Sequence, residues 1–372
     1  VVENNKLPSA YASLSLDNPP DFEGKIKGVS SLTSSLLGNG SASITKDEFH
    51  KEIDYMGASL YLSTNGGYAS SLKRFFPRVL ELLADAVINP VFIVEEFDKE
   101  KTKLLDNIKS NQKNIAVISN RVKNKVSYGK KHPFGEFLTS QTVTDVNLDH
   151  VVNYYNKFVI PNNAYLVVVG DVEFDSIKEL VTVLFENWQV GKEIKLRLPK
   201  VKNAPETQLL VVDMPNAVQS EIYITNTFDF TMANPDFFAL KLANHILGGS
   251  STARLFMNLR EDKGYTYGSY SRVSPSRYKA LFSASASVRN EVTGLSVYEM
   301  IKEINTMMTT FVSEEELAAA KEKYIGSFIM STEKTSTIAN FALNIEKQKL
   351  SKSFYKTYIK NIEQVTVADI KS

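Results

Sequence analysis

Ser31, Ser34 and Ser35 stand at i, i+3 and i+4 within Gly28-Val-Ser-Ser-Leu-Thr-Ser-Ser-Leu-Leu37, a spacing that places three hydroxyls on one face of a helix. Val29, Leu32 and Leu36 take the opposite side as the stripe to be buried. Imidazoles and carboxylates at such a spacing can bind zinc, whereas hydroxyls alone are too weak as donors to hold it. Further along, Glu100, Lys103 and Asn107 share a helix face at i, i+3 and i+7, with Asp106 one step off it. A third constellation is Arg260 and Tyr267: Arg260 ends a helix, Gly264 makes the turn and Tyr267 enters a strand. A guanidinium fork and a phenol hydroxyl are donors that stabilise developing negative charge. The plainer alternative pairs Arg260 with Glu261 or Asp262 and leaves Tyr267 a half-buried strand residue.

Other chemistries find little support. The chain has four histidines, His50, His132, His150 and His245, and none has a His or Glu partner at metal spacing on one helix face. His245 lies in an apolar helix and reads as a satisfied core residue, while His132 reads as a loop residue fixed by Pro133. There is no cysteine, hence no disulfide, no thiolate nucleophile and no Cys-based zinc site. No G-x-S-x-G elbow supports a serine triad. Lys and Arg number 43 against 42 Asp and Glu, a balance that argues against a nucleic-acid partner. The basic stretch Arg121 to Lys131 reads as a solvated helix face and loop. No segment is long and apolar enough to cross a bilayer.

The elements that must position these residues are mixed. Thr45-Lys-Asp-Glu48 is a capping-box start for a helix with Phe49, Ile53 and Met56 inward and Gly57 as its stop. A hairpin is expected over Ala58–Leu72, turning at Asn65-Gly66-Gly67. Helices follow over Pro77–Ile88 and Glu95–Asn114, then a buried strand Ala164–Val169 and a helix to about Trp188. A polar, Lys-rich span containing Pro199 and Pro205 separates this from a strand at Leu209–Val212 and an apolar helix over Pro235–Leu247. The expected division is a first domain over 1–190, a linker over 191–206 and a second domain over 207–372. The halves look duplicated. Glu95-Glu96-Phe97 with Lys101 recurs as Glu315-Glu316-Leu317 with Lys321, and Val146–Val151 recurs as Val365–Ile370 at nearly the same offset. On that reading the second copy lacks the closing helix and strand of the first, which suggests truncation.

The serine helix, His132-Pro-Phe-Gly135, Pro161-Asn-Asn-Ala164, Ile246-Leu-Gly-Gly249 and Leu259-Arg-Glu-Asp-Lys-Gly-Tyr-Thr-Tyr-Gly268 together resemble the pitrilysin/insulinase-type zinc metallopeptidases over essentially the whole chain. In that family the helix matching Ser31–Ser35 carries an inverted H-x-x-E-H motif, whose His and Glu side chains bind zinc and activate water. The third ligand, a Glu, falls at Asn107, and Glu100 matches a supporting acid. The resemblance therefore implies a degenerate, non-catalytic member with no metal or cofactor of its own. The fold it implies is α+β, two homologous mixed α/β sandwich domains of the mitochondrial-processing-peptidase-like metallohydrolase type.

The resemblance further implies a heterodimer with an H-x-x-E-H catalytic subunit that holds the zinc, or a homodimer of this chain where that partner is missing. This chain would form half of the substrate chamber and supply Arg260 and Tyr267 to the partner's active site, as donors to the substrate backbone and the tetrahedral oxyanion. The substrate would be an extended peptide added to a sheet edge. The mitochondrial non-catalytic subunit has a long glycine-rich loop where Gly248-Gly249-Ser-Ser-Thr252 is short, which favours a bacterial-type partner. Bacterial members of the family are often exported, so the resemblance favours the periplasm or cell envelope over the cytoplasm. The alternative is a catalytically inactive binding or scaffold protein that keeps the fold alone.

Overall fold

The computed structural model describes residues 1–371. Its strands are β1 (Val2–Glu3), β2 (Ser9–Leu16), β3 (Ser59–Ser63), β4 (Gly66–Leu72), β5 (Ala164–Gly170), β6 (Gln219–Phe230), β7 (Thr266–Ser274) and β8 (Ser276–Arg289). The helices before β6 are α1 (Val29–Leu36), α2 (Lys46–Tyr55), α3 (Phe76–Ile88), α4 (Val94–Ser110), α5 (Ile115–Tyr128), α6 (Ser140–Thr144), α7 (Leu148–Phe158) and α8 (Phe174–Phe185). Those after it are α9 (Phe237–Gly248), α10 (Arg254–Phe256), α11 (Thr293–Thr309), α12 (Glu314–Ser331), α13 (Thr335–Lys347), α14 (Tyr358–Gln364) and α15 (Val367–Lys371).

The chain forms two compact units. Unit 1 comprises Val1–Asn111, Phe137–Leu198 and Thr332–Lys347, and unit 2 comprises Gln112–Glu136, Pro199–Ser331 and Gln348–Ser372. Helix α5 thus belongs to the second unit and α13 to the first, an exchange that contiguous boundaries cannot express.

In unit 1 the sheet runs β1-β5-β2-β4-β3, antiparallel except for the β1/β5 pair. Strand period two sends Ala10, Ala12, Leu14 and Leu16 to one face, where they are buried against Val79, Leu80 and Leu83 of α3 and Ile177 of α8. Burying that face is the main stabilising term for the layer, at about 25 cal/mol per Å² of apolar surface. Strand β5 closes at Gly170 with φ 144°, and an added Cβ there would stand 2.3 Å from the Ser9 carbonyl oxygen. Helix α13 packs on β5 and β2, where Lys347 Nζ donates to Ser15 Oγ at 2.9 Å and pairs with Asp17 at 3.5 Å. A second cluster joins α1, α4, α6 and α7 through Val29, Leu32, Phe97, Ile108, Val143 and Val151.

In unit 2 the sheet is β6-β8-β7, all antiparallel, and α5 packs on β6. Ser127 Oγ donates to Thr225 Oγ1 at 3.2 Å, and Lys123 lies over the Tyr223 ring at 5.0 Å. Lys123 is therefore not part of a wholly solvated basic face, and burial pulls its pKa down. Leu209–Val212 does not form the expected strand; Leu209 and Val211 are 80% and 82% exposed. Among the described residues, the counterpart in unit 1, β1, pairs only with β5. No equivalent of β5 lies beside β6 among the described residues, and a strand without a partner ladder leaves its backbone unsatisfied.

The duplication holds at the level of hydrogen bonds. Lys101 Nζ donates to the Thr144 and Val146 carbonyls at 2.7 and 2.6 Å, and Lys321 Nζ donates to that of Glu363 at 2.8 Å. Asn147 caps α7 through the His150 amide, and Thr366 caps α15 through the Asp369 amide. Lys46 pairs with Glu96 in one unit, Arg254 with Glu316 in the other. Helix α1 corresponds to α9 as well: Leu36-Leu37-Gly38-Asn39-Gly40 ends the first and Ile246-Leu247-Gly248-Gly249-Ser250 the second, with Leu32 and Leu242 both buried. The fold is α+β, built from two mixed α/β units as expected.

Candidate functional site

Helix α1 begins without a side-chain cap at Gly28, whose φ is 120°. Glu23 takes over that task from outside the helix. Its carboxylate accepts the Gly28 and Ser30 amides at 2.9 and 3.2 Å and the Ser30 hydroxyl at 2.8 Å, and it pairs with Lys27 at 2.7 Å. The buried stripe of Val29, Leu32, Thr33 and Leu36 then fixes which face turns outward.

The outward face carries the three serines, and its hydroxyls are bonded largely within the protein. Ser34 Oγ donates to the Ser30 carbonyl at 2.7 Å, and Ser35 Oγ donates to that of Ser31 at 3.1 Å. Ser34 Oγ also accepts the Thr64 amide at 3.1 Å and lies 3.2 Å from Thr64 Oγ1, which ties the helix to the β3–β4 turn. Ser31 and Ser35 are exposed and Ser34 is half-buried. A hydroxyl engaged in this way is a neutral donor and acceptor, with neither the charge nor the basicity that a divalent cation demands.

Helix α4 packs against α1 and brings Asn107 to the same unit. Asn107 Oδ1 accepts from Asn111 Nδ2 at 2.7 Å, so its side chain is a local amide pair on an exposed surface. Glu100 pairs with Lys103 at 2.7 Å, and Asp106 pairs with Lys109 at 3.4 Å. The carboxylates of Glu100 and Asp106 are thus each matched by a lysine of their own helix. Among the described residues no group of three or more His, Cys, Asp or Glu side chains is placed to hold a metal ion.

In unit 2, Arg260 lies in a π-helical turn over Met257–Asp262, Gly264 follows at φ 63°, and Tyr267 enters β7, as the spacing predicts. Arg260 Nε stands 3.4 Å from Glu261 Oε1, and its guanidinium lies 4.9 Å from the Phe256 ring centroid. Both charges are about half exposed, so the pair holds the guanidinium only weakly. Tyr267 is 87% exposed, not half-buried, because it falls at the bulge between Thr266 and Ser269 on an edge strand.

Three arrangements escaped sequence reasoning. One is the Glu23 cap, which acts across five residues and carries no capping-box signature. Another is a ladder of tyrosines on unit 1, Tyr11 to Tyr68 at 6.0 Å and Tyr61 to Tyr68 at 5.9 Å, beside the β3 edge. Only the strand register brings those three rings together. The third is His245, which is not a core residue but lines a cavity against Tyr324. His132, by contrast, is a loop residue as expected, buried between Tyr128 and Phe134.

Comparison with known proteins agrees with this geometry. Residues 22–132 match the model for insulinase, peptidase family M16, and residues 145–324 match that for the peptidase M16 inactive domain. An uncharacterized zinc protease YmxG of Bacillus subtilis is 24% identical over 84% of this chain and 76% of its own length. The non-peptidase homolog YmxG of Helicobacter pylori is 19% identical over 99% of this chain and 86% of its own. A peptidase M16 inactive domain from Pseudomonas fluorescens superimposes with a TM-score of 0.86 at 21% identity, covering 100% of this chain and 90% of that one. The chain belongs to the insulinase-type peptidase family, M16, and is a non-catalytic member of it.

Proposed function

We propose that this chain is the non-catalytic subunit of a two-chain zinc peptidase. Its partner carries an intact H-x-x-E-H helix and the zinc. This chain contributes half of the substrate chamber and presents Arg260 and Tyr267 to the partner's site. The observation that carries the reading is the contrast between the two sets of residues. The Ser34 and Ser35 hydroxyls are bonded within the protein, whereas Tyr267 is 87% exposed and the Arg260 guanidinium, stacked on Phe256, has only the half-exposed Glu261 as its counter-charge. Two such donors aimed at a tetrahedral oxyanion supply roughly 10²–10³ in rate each.

An extended peptide would add to a free sheet edge, and the β3 edge beside the exposed Tyr61 and Tyr68 offers ladder hydrogen bonds next to aromatic side-chain sites. A bacterial periplasm or envelope is the compartment this reading favours. The second reading, a binding scaffold without catalysis, draws on the stacking of Arg260 over Phe256 and its pairing with Glu261, which give the residue a structural use.

Purification of the tagged chain from its native organism tests the proposal. A near-stoichiometric H-x-x-E-H partner is expected, and Arg260→Ala is expected to lower peptide turnover of the pair about 100-fold while leaving assembly intact. Recovery of this chain alone, or unchanged turnover in the variant, selects the scaffold.

A further inference from the structure

Unit 2 contains a cavity of about 160 Å³ beside the outward face of α9. Its wall combines Lys241, His245 and Tyr324 with the apolar side chains of Phe237, Leu240 and Val273. Lys241 and His245 stand where unit 1 has Ser31 and Ser35, counted back from the matching helix ends. The face that carries only hydroxyls in one unit is cationic in the other.

The Lys241 ammonium is set among rings: 5.2 Å from the centroid of Phe237, 5.0 Å from Tyr324 and 5.9 Å from Tyr358. It donates to Tyr358 Oη at 3.3 Å, and among the described residues no carboxylate pairs with it. Two other half-buried basic residues do meet carboxylates, Arg254 pairing with Glu316 through two bonds and Lys347 with Asp17. Desolvation pulls the Lys241 pKa down, but the phenol oxygens of Tyr358 and Tyr324 outweigh it, so the ammonium keeps its charge. Aromatic faces recompense a desolvated ammonium only in part, which leaves a demand for an anion.

The size and balance of the cavity define that anion. Burial, together with Lys323, holds the His245 imidazole below its usual pKa, so at neutral pH it offers one N–H and no charge. Among the described residues Lys241 is the one Lys or Arg side chain in the wall, so a polyanion held there would be left mostly uncompensated. The volume is close to the roughly 150 Å³ of a cavity that admits benzene.

We propose that unit 2 binds a small organic monocarboxylate with a compact aromatic or branched body, its carboxylate against Lys241 and His245 and its body between Phe237, Leu240 and Val273. This site does not depend on the peptidase reading. Its source is either a free small acid or the C-terminal carboxylate of an apolar peptide.

Titration calorimetry on the full chain tests it with benzoate, benzamide, acetyl-alanyl-phenylalanine and inorganic phosphate. Saturable binding of benzoate or the peptide acid is expected, at least 10-fold tighter than benzamide or phosphate. Lys241→Met should weaken it at least 10-fold, and Val273→Phe, which fills the cavity and keeps the cation, should do the same. Tighter binding of the peptide acid than of benzoate assigns the site to peptide ends, and the reverse assigns it to free acids. No saturable acid binding, equal binding of benzamide or phosphate, or full binding by both variants overturns the proposal. Should Lys241→Met fail to fold, benzamide and Val273→Phe decide it.

Discussion

Helices α1 and α9 occupy equivalent places in two copies of one fold, yet their outward faces have opposite chemistry. Both bury a leucine at the same step, Leu32 in one and Leu242 in the other. Both end in a Leu-Gly pair and both pack against the long helix that follows, α4 or α12. Outward, α1 shows Ser31, Ser34 and Ser35, the last two with hydroxyls bonded to their own helix, while α9 shows Lys241 and His245 at the wall of a cavity. Packing constrains the inner face to one solution, and the outer face is free to be rewritten. The difference between the two helices is therefore one of side chains on a shared scaffold.

That comparison is most exposed to the inner face. Leu32→Ala and Leu242→Ala should each cost about 2–5 kcal/mol by urea denaturation, because both sites are closed and neither can collapse freely. A cost under about 1 kcal/mol at either position would break the equivalence. The outer face of α1 should divide sharply. Ser34→Ala removes the partner of the buried Thr64 and is expected to cost about 1–2 kcal/mol. Ser31→Ala and Ser35→Ala, both exposed, should stay within about 0.5 kcal/mol.

A smaller effect sharpens the comparison through the paired carboxylates. Hydrogen bonds from Lys46 and Lys99 hold Glu96 down at about 2, and Arg254 depresses Glu316 in the same direction. Folded values lie below the unfolded one, so this stability is present above about pH 4.5 and is lost as pH falls toward 2. Glu96→Gln and Glu316→Gln should each flatten the dependence of unfolding free energy on pH in that window, and unchanged slopes would show that the pairs contribute nothing. The last expectation is no effect at all: metal analysis of the dialysed chain should find no stoichiometric zinc, and about one equivalent would overturn the reading of the serine face.

Much of the fold was legible because local signals agreed with tertiary demands. The Thr45 capping box starts α2 as expected, with Phe49 and Ile53 buried, and β5 forms at the expected run, buried at Val168, Val169 and Gly170 and half-buried before them. The serine face was legible too, since three hydroxyls at helical spacing need only the 3.6-residue period to be grouped. Leu209–Val212 failed because an apolar run specifies a strand only when a partner edge is present. His245 failed because an apolar helix does not announce where its one polar face meets a void.

The sequence alone determined the family, the duplication and the grouping of three hydroxyls on α1, since each rests on residue type and spacing. Tertiary structure alone decided that Ser34 ties a helix to a hairpin, that α5 and α13 are exchanged between the units, and that no carboxylate among the described residues pairs with Lys241. These depend on which distant segments meet, and the pairing of segments is settled by burial and strand register across the whole chain.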